Sequence, residues 1–198
     1  MIVTHEIFIG SVVLLSLTYS LITVFNVIGP FLIQRVLHYS PIVYGHVALW
    51  LGVAWFLGNA TNRFLMVKLH AHHIITISLM ISLVVSAIML IIGLFEHINI
   101  WLIVAPTFIL FACGGVIFPN CLGRVLSLFP KIGGLASAAM GSLFVVGAGV
   151  LSGIASLLKA KSQIPLSIMY IALMMISLGI YVLLLRPALQ KELHPSKK

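Results

Sequence analysis

Six apolar runs, each about as long as a bilayer core is thick, follow one another through this chain with only a few polar residues between them. They span roughly Ile7–Ile33, Ile42–Leu65, Ile74–Phe95, Ile100–Leu122, Gly133–Leu158 and Ile164–Leu185. A helix crosses the hydrocarbon with about 20 apolar residues. Helices are required, because lipid-facing irregular backbone would strand unpaired amides and carbonyls. The short connections make neighbouring helices antiparallel. The expected fold is therefore all-α, an integral membrane six-helix bundle forming one domain over residues 1–198, with residues 186–198 as a tail. The charge content agrees: 7% of residues are charged, against roughly a quarter in soluble domains. The acids are Glu6, Glu96 and Glu192, and there is no aspartate.

The net charge of +8 does not indicate nucleic acid, since the cations stand singly between apolar runs and form no basic stripe. Cys113 and Cys121 make neither a disulfide framework nor a CxxC pair. The N-terminus lacks a basic region and a small-residue cleavage site, so the first run is expected to stay as a span. Ser40-Pro41 reads as N-cap and first helical residue. Ser162 with Pro165 reads similarly before the last run, and Arg186-Pro187 closes it. With the N-terminus inside, Arg63, Lys68, Arg124, Lys131, Arg186, Lys191, Lys197 and Lys198 fall on the cytoplasmic side. Only Arg35, Lys159 and Lys161 fall outside, so both termini are expected in the cytoplasm.

Several stretches depart from plain apolar sequence. Tyr19, Thr23, Asn26 and Pro30 share one face of the first run, and the stripe either bonds a neighbouring helix or lines a cavity. Pro30 should bend or loosen the outer end of that helix. The fifth run is rich in small residues, among them Gly141 and the GxxxG pair Gly149 and Gly153. Such a helix is expected to pack tightly on more than one side or to touch substrate. Ser78, Ser82 and Ser86 recur at four-residue spacing and read as links between helices, while Asn59, Asn62 and Arg63 read as capping or loop contacts. His70, His72 and His73 lack an accompanying acid or cysteine, so no metal site is expected. His46 reads as an interfacial histidine. There is no GxSxG and no acid within a run to build a triad, so no enzyme and no cofactor are expected.

One stretch interrupts the apolar rhythm: GGVIFPNCLGRVLSLFPKIGGLASAAMGSLFVVGAG, from Gly114 to Gly149. With its Pro119-Asn120, its Phe129-Pro130 and its Gly134-Leu135-Ala136-Ser137-Ala138 followed by Gly141, it resembles the tenth-to-eleventh helix region of the Bcr/CflA drug:proton antiporters. These form a branch of the major facilitator superfamily. Gly29-Pro30-Phe31, Ser40-Pro41 and Tyr44-Gly45 are similar to that family's seventh helix and the turn into its eighth, and Asn62-Arg63-Phe64 to the inner end of the eighth. The matches run in order over nearly the whole chain.

The resemblance implies the C-terminal half, helices seven to twelve, of a twelve-helix secondary transporter in the bacterial inner membrane. Such a transporter would export drugs or small metabolites by proton antiport, with its site between two halves. It implies a cavity wall of Tyr19, Thr23, Asn26 and Asn120, with Phe31 and Phe144 as apolar contacts. Pro30 and Pro119 would be hinges, Pro119 ending a helical run. The partners would be the lipid bilayer, a small amphipathic substrate, and an N-terminal six-helix half or a second copy of the chain. No run carries the acid that proton coupling would need, so the chain reads as a truncated or split transporter. A homodimerising six-span subunit and a nonfunctional remnant are the alternatives.

Overall fold

The computed structural model describes residues 6–95, 99–158 and 162–187. Lys159, Lys161, Lys191, Lys197, Lys198, Glu96 and Glu192, and all of the tail beyond Pro187, lie outside the described residues. The six runs form six long helices: α1 (Glu6–Pro30), α2 (Pro41–Lys68), α3 (Ala71–Leu94), α4 (Ile100–Leu128), α5 (Gly133–Ser156) and α6 (Ile164–Ile180). All are long and apolar enough to cross a membrane once the π-wound turns that extend α1 (Phe31–Val36) and α6 (Tyr181–Leu185) are included. The chain is a membrane helical bundle. One end, where α1, α3 and α5 begin and α2, α4 and α6 finish, carries Lys68, His70, His72, His73, Arg124, Lys131 and Arg186 and is called the basic end.

Helix ends follow local chemistry. Ser40 caps α2 by accepting from Val43 N–H at 3.4 Å, with Pro41 at N1, and Asn99 caps α4 by accepting from Trp101 N–H at 3.2 Å. Ser162 accepts from Ile164 N–H at 3.3 Å, although the residue that opens α6 is Gln163. At Pro30 the missing N–H breaks the regular ladder, and the chain rewinds as π-helix from Phe31 to Val36. His38, at φ 58°, ends this segment and lets Tyr39 N–H reach back to Ile33 O at 3.0 Å.

Pro119 does not end a helical run. α4 continues through both Pro106 and Pro119 to Leu128, and the break falls at Phe129-Pro130, where a single 3₁₀ turn leads into α5. Each proline removes one ladder bond, and a membrane helix tolerates that loss when neighbouring helices enclose it. α4 is so enclosed, with 56% of its best apolar window buried. α1 is the axis of the bundle at 72%, whereas α2 and α5 are peripheral at 22% and 17%.

The tightest approach joins α2 to α4. A Cβ at Gly58 would fall on the Ala112 carbonyl, and one at Gly115 on the Trp55 carbonyl, so the two backbones touch directly. At Gly114 a Cβ would lie 2.6 Å from the Trp55 ring. Gly141, Gly149 and Gly153, expected to be packing glycines, make no such approach within this chain. Nothing in the chain lies within 4 Å of a Cβ at any of them. α5 packs mainly on α1, and its GxxxG edge is turned away from the bundle. In α5 Gly147 meets Ser16 of α1, and Gly133, at the start of the helix, meets the Leu126 side chain of α4.

In the serine row of α3, Ser82 donates to Ser78 O at 2.8 Å and Ser86 to Ser82 O at 2.7 Å, within their own helix, while Ser82 also meets the Cys113 thiol of α4. A carbonyl four residues back is always within reach of a helical serine hydroxyl, whereas reaching a neighbouring helix depends on how closely that helix approaches. Several ties between helices come from longer side chains. Tyr170 Oη donates to Leu21 O at 3.3 Å, Tyr181 Oη to His72 O at 3.0 Å, and Gln163 Nε2 to Met89 O at 3.2 Å.

Substituting leucine for Gly58 or Gly115 is expected to destabilise the bundle by about 3 kcal/mol or more, since backbone cannot yield as side chains do. Gly149→Leu is expected to stay within about 0.5 kcal/mol. Thermal unfolding of the detergent-solubilised variants distinguishes them, and equal melting of all three would contradict the α2–α4 contact.

Candidate functional site

Between α1 and α2, with Phe111 of α4 as its floor, lies an open cleft of about 440 Å³. Tyr19, Ile22, Phe25 and Asn26 form one wall, and Ala48, Leu51, Gly52 and Trp55 the other. The volume falls within the range of small-molecule sites, and the lining has their character: mostly apolar, with a few polar groups. Asn26 is exposed to this space and its amide makes no hydrogen bond within the described residues. In a membrane that arrangement is costly unless the amide meets water or a ligand.

Below Asn26, four aromatic rings from four helices close a ring of contacts. Tyr19 (α1) meets Trp55 (α2) at 6.1 Å and Phe144 (α5) at 5.3 Å. Phe118 (α4) meets Trp55 at 6.0 Å and Phe144 at 5.8 Å. All four contacts are edge-to-face, the favoured aromatic geometry. None of the four side chains is fully buried, so their surfaces are presented to the space between α2 and α5. Tyr19 stands 13 residues along α1, about 20 Å from its start, which puts the quartet near mid-bundle.

Of the residues expected to form a cavity, Tyr19 and Asn26 line the cleft, and Phe144 joins it through the quartet. Thr23 does not line it. Its hydroxyl lies 3.4 Å from Ala148 O of α5, and Ser152 donates back to Thr23 O at 3.4 Å, so it ties α1 to α5. Phe31 lies beyond Pro30, exposed, with the Arg35 guanidinium 4.9 Å from its ring centre. Asn120 is placed elsewhere: it is 5% exposed and donates from Nδ2 to Asn62 Oδ1 at 2.6 Å and to Val116 O at 2.7 Å. Asn62, read as a cap or loop contact, is the other half of this buried pair between α2 and α4. Asn59 bonds back to Trp55 O at 3.0 Å.

The residues missed by sequence reading are Trp55, Phe118, Phe111 and Asn62. Trp55 and Asn62 lie seven residues apart, two helical turns, and thus on one face of α2; that spacing was the available signal.

Among curated proteins, one stretch of this chain finds a relative. Over 110 residues it is 28% identical to multidrug resistance protein D of Escherichia coli (strain K12), covering 56% of this chain and 26% of that protein. This chain is similar to a multidrug resistance protein. It spans about a quarter of that relative's length. No protein-family model matches the chain. No solved structure matches it.

Two outcomes check the site. Asn120→Ala leaves Asn62 buried without its donor and is expected to cost about 1–3 kcal/mol in thermal unfolding. Pairing it with Asn62→Leu should cost less than the sum of the two single changes. With Trp50 and Trp101 replaced by phenylalanine, Trp55 becomes the sole tryptophan. Its fluorescence is then expected to be quenched saturably by an aromatic ligand, with Tyr19→Ala raising the dissociation constant about five-fold.

Proposed function

We propose that this chain forms one six-helix half of a secondary transporter that moves amphipathic small molecules across a bacterial inner membrane. The observation that supports it most is the cleft itself. Asn26 lines a cleft between α1 and α2 that also holds Tyr19 and Trp55 of the aromatic quartet, and α2 and α5, which carries Phe144 of the same quartet, are the two helices least covered by the rest of the chain. A cavity open along one side, bordered by a sparsely covered helix, is what one half of a two-half transporter would present. The similarity to multidrug resistance protein D and the resemblance to the Bcr/CflA antiporters favour export of drugs or small metabolites in exchange for protons.

On this reading, Tyr19, Trp55, Phe118 and Phe144 offer π faces and edges to an aromatic or cationic substrate. Asn26 supplies one directional hydrogen bond in an otherwise apolar wall. A second six-helix half, on a separate polypeptide or on further sequence, completes the cavity and brings the carboxylate for proton coupling. The cation distribution favours both termini in the cytoplasm. A homodimer is the second reading, favoured by the same exposed flanks.

The test is reconstitution into proteoliposomes, with a fluorescent amphipathic cation and an imposed pH gradient. The chain is measured alone, and then with a six-helix N-terminal half. Movement that requires the partner, and that drops at least ten-fold with Asn26→Ala or Trp55→Ala, is the expected result. Movement by the chain alone would favour the homodimer. Absence of movement in both would overturn transport.

A further inference from the structure

On the outer face of the bundle, away from the cleft, a second recess of about 410 Å³ runs between α2 and α3 with α4 as its floor. α2 and α3 diverge from their shared link and leave this groove lined by apolar side chains, among them Leu65, Leu69, Ile77, Phe108 and Ile109. Along α2 the lining runs from Leu57 to Leu69, a rise of about 18 Å, close to the roughly 15 Å hydrocarbon depth of one leaflet. Several of its side chains are open to the membrane: Leu57 is 46% exposed and Ile77 48%.

The basic end of the groove has a different chemistry. On α3 the stripe formed by Ile74, Ile77, Ser78 and Ile81 continues, at helical spacing, into His73 and His70. On α2 the stripe ends one turn after Leu65 at Lys68. All three side chains are exposed. His70 and His73 rings stand 6.4 Å apart. No side chain caps the first turn of α3, which begins at the same place. The one carboxylate among the described residues is Glu6, at the start of α1, and α1 does not line the groove. The structure thus joins an apolar channel of one-leaflet depth to a lysine and two imidazoles, with no carboxylate among the described residues of the groove.

We propose that this groove binds an anionic phospholipid, with one acyl chain along α2 and α3 and the headgroup phosphate on Lys68, His70 and His73. The charge on Lys68 makes the site selective for a net negative headgroup, and the apolar length of the groove makes it selective for a chain-bearing phosphate. This site is independent of the transport reading, since it needs only that the bundle sit in a bilayer.

The test uses the full chain in nanodiscs of equal phosphatidylglycerol and phosphatidylcholine, released into native mass spectrometry. One tightly held lipid is expected, phosphatidylglycerol about five-fold over phosphatidylcholine. The combined Lys68→Gln, His70→Gln and His73→Gln variant, which alters exposed residues alone, should lose that preference. Thr61→Phe, which fills the groove from an exposed position, should lose the adduct although every cation remains. Equal retention of the two lipids by the unaltered chain, a phosphatidylglycerol preference that survives the triple variant, or an adduct that survives Thr61→Phe, would overturn the proposal. So would a dimer of the chain in place of the lipid. Circular dichroism and gel filtration of each variant establish that it is folded.

Discussion

The contact between the α2 and α4 backbones at Gly58 and Gly115 sets most of what is distinctive in this molecule. Two helices gain little from apolar contact in lipid, so close approach of their surfaces has to come from absent side chains. Gly114 extends the same contact by receiving the Trp55 ring. The crossing therefore fixes Trp55 where it meets Tyr19 and Phe118, and one helical stretch further on it brings Asn62 against Asn120. A cleft wall, an aromatic cluster and a buried amide pair thus share one origin.

The two amides show how polarity is handled at that crossing. Asn120 follows Pro119, where the ladder of α4 is already interrupted, and its Nδ2 bonds both Val116 O and Asn62 Oδ1. In hydrocarbon an unpaired amide is expensive, so the shared bond holds the register of α2 on α4, although Asn120 Oδ1 itself is buried without a partner among the described residues. Asn26 is the contrasting case. It has the same chemistry but faces the cleft without a protein partner, and its role is accordingly sought in what enters the cleft. Two asparagines that look alike in the sequence are separated by their surroundings into a structural group and a candidate ligand contact.

The bundle also divides its outer surface by chemistry. The side between α2 and α5 presents aromatic edges, an amide and glycines with open space, features suited to another helical surface or to a polar-headed molecule. The groove between α2 and α3 presents aliphatic side chains that end in unopposed donors, features suited to lipid. α2 borders both, which is why so little of it is covered by the rest of the chain.

Much of the architecture was legible from residue order alone. Six apolar runs, their short connections and caps such as Ser40-Pro41 determine six antiparallel helices, because in lipid every backbone group must be satisfied within its own helix. The stripe of Tyr19 and Asn26 was also readable, since spacing along one helix defines a face. What the sequence did not settle was which faces meet. Gly149 and Gly153 carry the motif associated with packing yet face open space, whereas Gly58, in no motif, bears the closest contact. Trp55 and Phe118 lie far apart in sequence and become neighbours only through the rotation and crossing of α2 and α4. Periodicity determines the direction of a side chain relative to its own axis, and only the packed bundle decides where that axis points.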